Sequence, residues 1–430
     1  MATTKSRQPD RDAGASQRLK PGYLHISRWW LTAFLAAILA PWVVLAMLAV
    51  RRSALEANGG ARTGHVAEAG PHRSKPGPWG DLEYVPISIA PPGEFLVFLG
   101  DTEGRSKWHW ANAGPDELGK LLEKAGLKAQ ARAQVLSIAK PDASINGLVV
   151  DPPAELVRTL SPEARRVIYG ALAIQPSNRD QVNAFRIPAA SFENWYGRLT
   201  APAETKDLLR RMLYRNGRYY LFADVFQVLP SLERPEQRVG LLRALTEEST
   251  LLVRVRVNEG LDIRALAEYW GRGGRAKDVA VLLESLAGVP GGAALDICHL
   301  LPGFARRRLY TYPRPSLDPS SVNQDCHRAA LNFFNDVPDE SLADMEQVKR
   351  VLDTCYFPVY AEQQLGDLVL FTRDGRDVLH TAVYVADDIL FTKNGSWVSS
   401  PWMLMKLDDM RDYYPCDGPL KIRYLRRKDL

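Results

Sequence analysis

Hydrophobic and polar positions change their spacing several times along the chain, and each change marks a segment. Residues 29–50, WWLTAFLAAILAPWVVLAMLAV, run for 22 positions without a charge. At about 1.5 Å per residue such a helix spans the about 30 Å hydrocarbon core of a bilayer. Trp29 and Trp30 stand where interfacial aromatics belong, and Arg51 and Arg52 follow instead of a small-residue cleavage site. The pattern therefore predicts an uncleaved single transmembrane helix behind a basic tail, 1–28. Lys5, Arg7, Arg11, Arg18, Lys20 and Arg28 on the N-terminal side predict a cytoplasmic tail and a C-terminal body outside the cytoplasm.

Residues 51–80 are rich in Gly, Ala, Arg and Pro and read as a flexible linker. EYVPISIAPPGEFLVFLG reads as two short strands around a Pro-Pro-Gly turn. From about 115 the apolar spacing turns to three and four: PDELGKLLEKAG, KAQARAQVLSIA, SPEARRVIYGALA with Ser161 as N-cap, and TKDLLRRMLYRNG running to Gly217. STLLVRVRV alternates as a strand does, and DIRALAEYWG and KDVAVLLESLAG are helices that stop at glycine. Residues 81–300 thus read as a mostly helical middle domain. They contain no repeat of fixed period, phosphate loop, dinucleotide fingerprint or metal-ligand cluster, so no cofactor and no metal is expected, and the partner of this region is unknown. The four prolines of 301–320 predict a linker between domains. The tail, 321–430, opens with a helix and continues with strand-like runs at 367–372, 378–385 and 389–393 joined by Asp/Gly turns. The expected class is α+β, with the tail helix packed on an antiparallel sheet.

Charge and cysteine usage narrow the function classes. A net charge of +5 over 430 residues, with no basic block interleaved with aromatics, argues against a nucleic-acid partner. Cys298, Cys326, Cys355 and Cys416 include no C-x-x-C pair, and the adjacent pairs Cys298–His299 and Cys326–His327 are poorly spaced for one metal ion.

The stretch QDCHRAALNFF, 324–334, carries the sharpest chemistry. Asp325 is a good N-cap, and Cys326, Ala329, Ala330, Phe333 and Phe334 make one apolar stripe with the thiol in the first turn. A thiolate is favoured there by the helix dipole, and free N–H groups there suit an oxyanion. His327 points about 100° away from Cys326 and reads as an exposed first-turn histidine. His380 is the better base, sharing one strand face with Ala382 and Tyr384. Thr392 and Asn394 share a face of the next strand, and either suits the residue that orients the imidazole.

Asp325–Cys326 at a helix start, then Gly366–Asp367–Leu368–Val369, then His380-x-x-x-Tyr384 occur in an order and spacing that resemble the NlpC-type cysteine peptidases, papain-like peptidoglycan endopeptidases of bacteria. The resemblance covers about 100 residues. It implies a papain-like tail domain, Cys326 as nucleophile, His380 as base, no cofactor, and a cell-wall peptide cut outside the inner membrane. His327–Arg328 stand where that family has Ser-Gly, and the family's third polar residue falls on Thr392 by counting. The expected function is a membrane-anchored thiol hydrolase acting on an amide bond. The alternatives are a non-catalytic binding or scaffold protein on the same fold, and a related thiol acyltransferase or amidase.

Overall fold

The structure, a computed structural model, describes residues 71–100, 107–315, 324–375, 377–414 and 420–430. Its first strands, β1 (His72–Arg73) and β2 (Asp81–Ile89), pair antiparallel. The second strand expected after Pro91 and Pro92 is instead a helix, Gly93–Gly100. Proline's fixed φ suits a first helical turn and its missing N–H weakens a ladder.

Two small sheets follow. β3 (Trp108–Trp110), β4 (Lys140–Asp142) and β5 (Gly147–Val150) take the order β3-β5-β4; β6 (Phe185–Pro188), β7 (Tyr214–Asn216) and β8 (Tyr219–Phe222) take the order β6-β8-β7. Helices α1 (Pro162–Leu172), α2 (Ala203–Met212) and α3 (Pro235–Leu245) bury Ile168, Tyr169, Leu209 and Leu242 in one core with these sheets. Ser161 caps α1 by accepting from the Ala164 N–H, as its position predicts. α2 stops at Met212 rather than running to Gly217, because the chain turns back through Gly217 (φ 55°) as the β7–β8 hairpin.

β9 (Glu248–Val257) pairs with β2 along nine residues and with β10 (Ala293–Asp296) on its other edge. α4 (Ile263–Trp270) and α5 (Ala276–Ala287) contribute Leu266, Trp270, Val279 and Leu283 to the core beneath this sheet. The tail then gives α6 (Cys326–Leu331), α7 (Met345–Cys355), β11 (Tyr356–Val359), β12 (Leu368–Arg373), β13 (Asp377–Ala386), β14 (Ile389–Lys393), β15 (Trp402–Lys406), α8 (Leu407–Tyr413) and β16 (Leu420–Arg427). Its six strands are antiparallel, in the order β11-β16-β12-β13-β14-β15.

The expected boundary at 301–320 does not separate two cores. Val253, Trp270, Ile297 and Phe304 from before it share one core with Ala330, Phe333, Val383 and Phe391 from after it. Polar bonds cross the same seam. Tyr310 N–H donates to Trp402 O (2.8 Å), Trp402 N–H donates to Thr311 O (3.0 Å), and the Tyr269 hydroxyl donates to Val385 O (2.7 Å). After a short helix, Gly303–Arg308, the chain pairs with Trp402 at the start of β15, the terminal strand of the tail sheet, and the Thr250 hydroxyl of β9 bonds Leu404 further along, so what reads as a linker helps cover a sheet edge. Residues 71–430 accordingly form one compact unit.

The α+β class agrees with the mixture of helix and sheet, but the single membrane-spanning helix in that expectation is corrected. Among the described residues no helix is long and apolar enough to cross a membrane. The segment at 29–50, the tail 1–28 and residues 51–70 of the expected linker 51–80 lie outside the described residues. Residues 71–80 are not a free linker, since β1 pairs with β2, the Lys75 N–H donates to the Asp387 carboxylate (3.0 Å) and Trp79 O accepts from Trp270 Nε1 (3.0 Å). The middle region is also less helical than expected, since three sheets lie in it.

Candidate active site

The site is built where β13 begins and β14 ends. Asp325 caps α6 by accepting from the Arg328 N–H (2.9 Å), which sets Cys326 in the first turn, buried at 8% exposure. α6 packs on β13 and β14 through Ala329 and Ala330, small enough for close approach, and through Phe333, whose ring meets Phe391 edge-on at 5.4 Å. Strand alternation then sorts the side chains. Val383, Val385 and Phe391 face α6, whereas Ala382, Tyr384 and Leu390 face a third cluster with Met403 and Met405.

His380 belongs to that second face. It is fully buried, its ring stacks on Tyr414 at 4.4 Å, and its cross-strand neighbour Phe371 lies 6.0 Å away. Its Nε2 is 2.7 Å from the Thr392 hydroxyl, and that hydroxyl donates to Asn394 Oδ1 at 3.2 Å. A hydroxyl has one proton. With that proton on Asn394, Thr392 accepts from the ring, so Nε2 carries the hydrogen and Nδ1 is a bare lone pair. Nδ1 is buried and, among the described residues, has no hydrogen-bond partner. Asn394 is fixed from behind, its amide directed at the Met405 sulfur (3.0 Å). His380, Thr392 and Asn394 thus form one polar relay, with Thr392 in contact with the imidazole and Asn394 behind it.

Cys326 reaches the same end of the sheet from the α6 side. No hydrogen bond joins its thiol to the His380 ring. Two groups there lie within its electrostatic reach. One is Lys393, the residue after Thr392, whose side chain is fully buried and donates to Gly395 O (2.8 Å) and Trp397 O (3.1 Å). Burial pushes the Lys393 ammonium down to about 7, against the opposing pull of Cys326 and Asp325. The other is Tyr414, which burial holds well above the usual phenol range, with Tyr413 and Cys326 adding to the effect. Tyr414 therefore touches the imidazole and feels the thiol.

Other residues of the sequence pattern are structural. His327 is not an exposed first-turn residue: its Nδ1 lies 2.9 Å from the Thr381 hydroxyl, and burial lowers its imidazole below the usual range although Asp325 opposes this. Arg328 is buried, and its Nη2 donates to both Glu340 carboxylate oxygens at 2.6 Å. Gly366 has φ 91°, and a Cβ there would lie 2.1 Å from the Phe334 ring. Asp367 is buried and accepts two bonds from Arg426, each 2.8 Å. The Gly-Asp pair thus sets how α6's distal end meets the sheet and takes no part in the chemistry.

Lys393 and Tyr414 escaped sequence reasoning. In ILFTK, Lys393 continues the inward alternation of Ile389 and Phe391, which is a readable sign of a buried lysine. Tyr414 lies in a segment without a motif. Cys298 and Cys355 are free thiols remote from this relay, with burial and Asp296 pushing Cys298 up to about 12; Cys416 lies outside the described residues. Among the described residues no three His, Cys, Asp or Glu side chains gather as a metal site requires.

No family model, curated protein or solved structure matches this chain.

Proposed function

We propose that the protein is a thiol hydrolase acting on an amide bond, with Cys326 as nucleophile, His380 as base, and Thr392 backed by Asn394 as the orienting pair. The observation that carries this reading is the bare, buried Nδ1 of His380, whose other nitrogen is held by a polar relay. Buried polar atoms are ordinarily hydrogen-bonded, so an Nδ1 left open opposite a held Nε2 favours a base. In the reaction the Cys326 proton passes to Nδ1 and sulfur bonds to the amide carbonyl carbon. The C–N bond then breaks as the imidazolium returns its proton to the departing amine. Water, deprotonated by the same Nδ1, cleaves the thioester and releases the acid and the free thiol. The resemblance of the tail to the NlpC-type peptidases favours a cell-wall peptide as substrate.

A second reading, a non-catalytic binding protein on this fold, draws on the missing thiol–imidazole hydrogen bond. Iodoacetamide labelling near neutral pH with mass-spectrometric site assignment separates the two. Selective, fast labelling of Cys326, slowed by His380→Ala and absent in Cys326→Ala, is the expected result. Labelling of Cys326 no faster than that of Cys355, an exposed free thiol, overturns the hydrolase reading.

A further inference from the structure

A cavity of about 150 Å³ adjoins the relay, and the middle region builds much of its wall. Asn394 and Tyr414 line it from the site side, with Trp397 and Tyr413 beside them; Arg186 from β6 and Glu248 from the start of β9 close it. This is room for several waters or one small organic group.

The two charged walls are not paired with each other. No hydrogen bond or ion pair joins Arg186 to Glu248, and among the described residues the Glu248 carboxylate has no hydrogen-bond partner. Arg186 is held by the Tyr413 ring, with its guanidinium 4.4 Å from the centroid, and by long contacts to the Tyr413 hydroxyl (3.5 Å) and Ala184 O (3.4 Å). Most of its donor capacity is unused. Burial pushes the Glu248 carboxyl up to about 7, although Arg186 pulls the other way. An acid and a base that line one cavity and feel each other's charge without forming an ion pair leave hydrogen-bonding capacity on both for an occupant.

We propose that this cavity is a subsite for a zwitterionic α-amino-acid head group, with the carboxylate taken by Arg186 and the ammonium by Glu248. A ligand with a carboxylate alone would face Glu248, and one with an amine alone would face Arg186; only a group with both charges answers both walls. Taken together with the thiol-hydrolase reading, on which this further step rests, the subsite defines a substrate class. A residue that keeps both its α-amino and α-carboxyl groups free must join the scissile amide through its side chain. The substrates are therefore side-chain amides of amino acids.

Calorimetric titration of alanine into the full chain at pH 8 tests the binding claim, with acetate, methylammonium, N-acetylalanine and alaninamide as single-charge controls. Alanine is expected to bind at least tenfold more tightly than every control, and Arg186→Gln and Glu248→Gln are each expected to weaken it at least tenfold. Alanine binding no better than the controls overturns the proposal on the unaltered protein, whatever the variants do to folding. Iodoacetamide labelling of Cys326 in parallel keeps the two claims apart. Fast labelling without selective alanine binding removes the subsite alone. Selective binding without fast labelling leaves the subsite and removes the hydrolase.

Discussion

Replacing Thr392 with valine tests the relay at its middle member. Thr392 is 1% exposed and valine nearly matches its shape, so the change removes a hydroxyl and opens little space. Two buried groups lose their partners: His380 Nε2, held at 2.7 Å, and Asn394 Oδ1, held at 3.2 Å. An orphaned buried polar group costs about 1–3 kcal/mol, so the pair gives about 2–4 kcal/mol after partial relaxation. The functional effect has a separate origin, since without its acceptor the ring has nothing to fix Nε2 as the protonated nitrogen. A misplaced general base costs about 10²-fold in rate. Urea unfolding at constant m-value reads the first quantity and the iodoacetamide rate at Cys326 reads the second. Thr392→Ser should recover most of both. In a double-mutant cycle with His380→Phe, the two changes should couple by about 1–2 kcal/mol, because the second removes a group the first has already orphaned. A Thr392→Val protein within about 0.5 kcal/mol of the original that also alkylates at the original rate would refute the relay.

Three other changes read the surroundings of the site. Lys393→Met relieves the burial of an amine but leaves Gly395 O and Trp397 O without their donor, so stability near pH 7 should change by no more than about 1 kcal/mol. The folded pKa of about 7 lies below the ordinary lysine value, so the original protein gains stability from this group as pH rises from 7 toward 10.5; the gain should be missing in the variant's difference curve. Gly366→Ala should cost about 2–4 kcal/mol in urea, from positive φ and the Phe334 ring together, whereas Gly375→Ala, whose nearest neighbour is the Lys421 side chain at 3.5 Å, should cost about 1 kcal/mol. His327 has a lowered folded pKa, so its contribution is complete above the ordinary imidazole range and is lost as pH falls below about 6.5; His327→Gln should flatten that acid limb of the stability curve and leave the alkylation rate of Cys326 little changed.

Local signals carried the elements of the tail well. Asp325 caps the helix it was expected to cap, and the three strand runs at 367–393 fall within a residue or two of β12, β13 and β14. Alternation along those strands also placed Thr392 and Asn394 on a common face, and the relay uses both. What failed were inferences about distance in space. The prolines of 301–320 signalled a break, yet Gly303–Arg308 form a helix, and Tyr310 and Thr311 beyond it pair with Trp402. Gly217 and Pro92 were read as a helix end and a strand turn, and each instead reverses or starts an element. Arg186, Glu248 and Tyr414 meet around one cavity from positions 186, 248 and 414, a juxtaposition that no spacing rule encodes.

The position of β16 has a consequence for the order in which the tail sheet can be completed. β16 lies between β11 and β12, although it follows them by more than a hundred atoms of backbone and several intervening elements. Strand pairings between distant segments close late, after local helices and hairpins have formed. A chain emerging from the ribosome can form the β12–β13–β14 hairpins with the histidine relay in them, but its sheet has a gap until residues 420–427 arrive. Asp367 then has no Arg426, and the sheet beneath α6 lacks the strand that fixes one of its edges. The sheet that carries His380 and Thr392 is therefore continuous only once residues 420–427 have been made and paired.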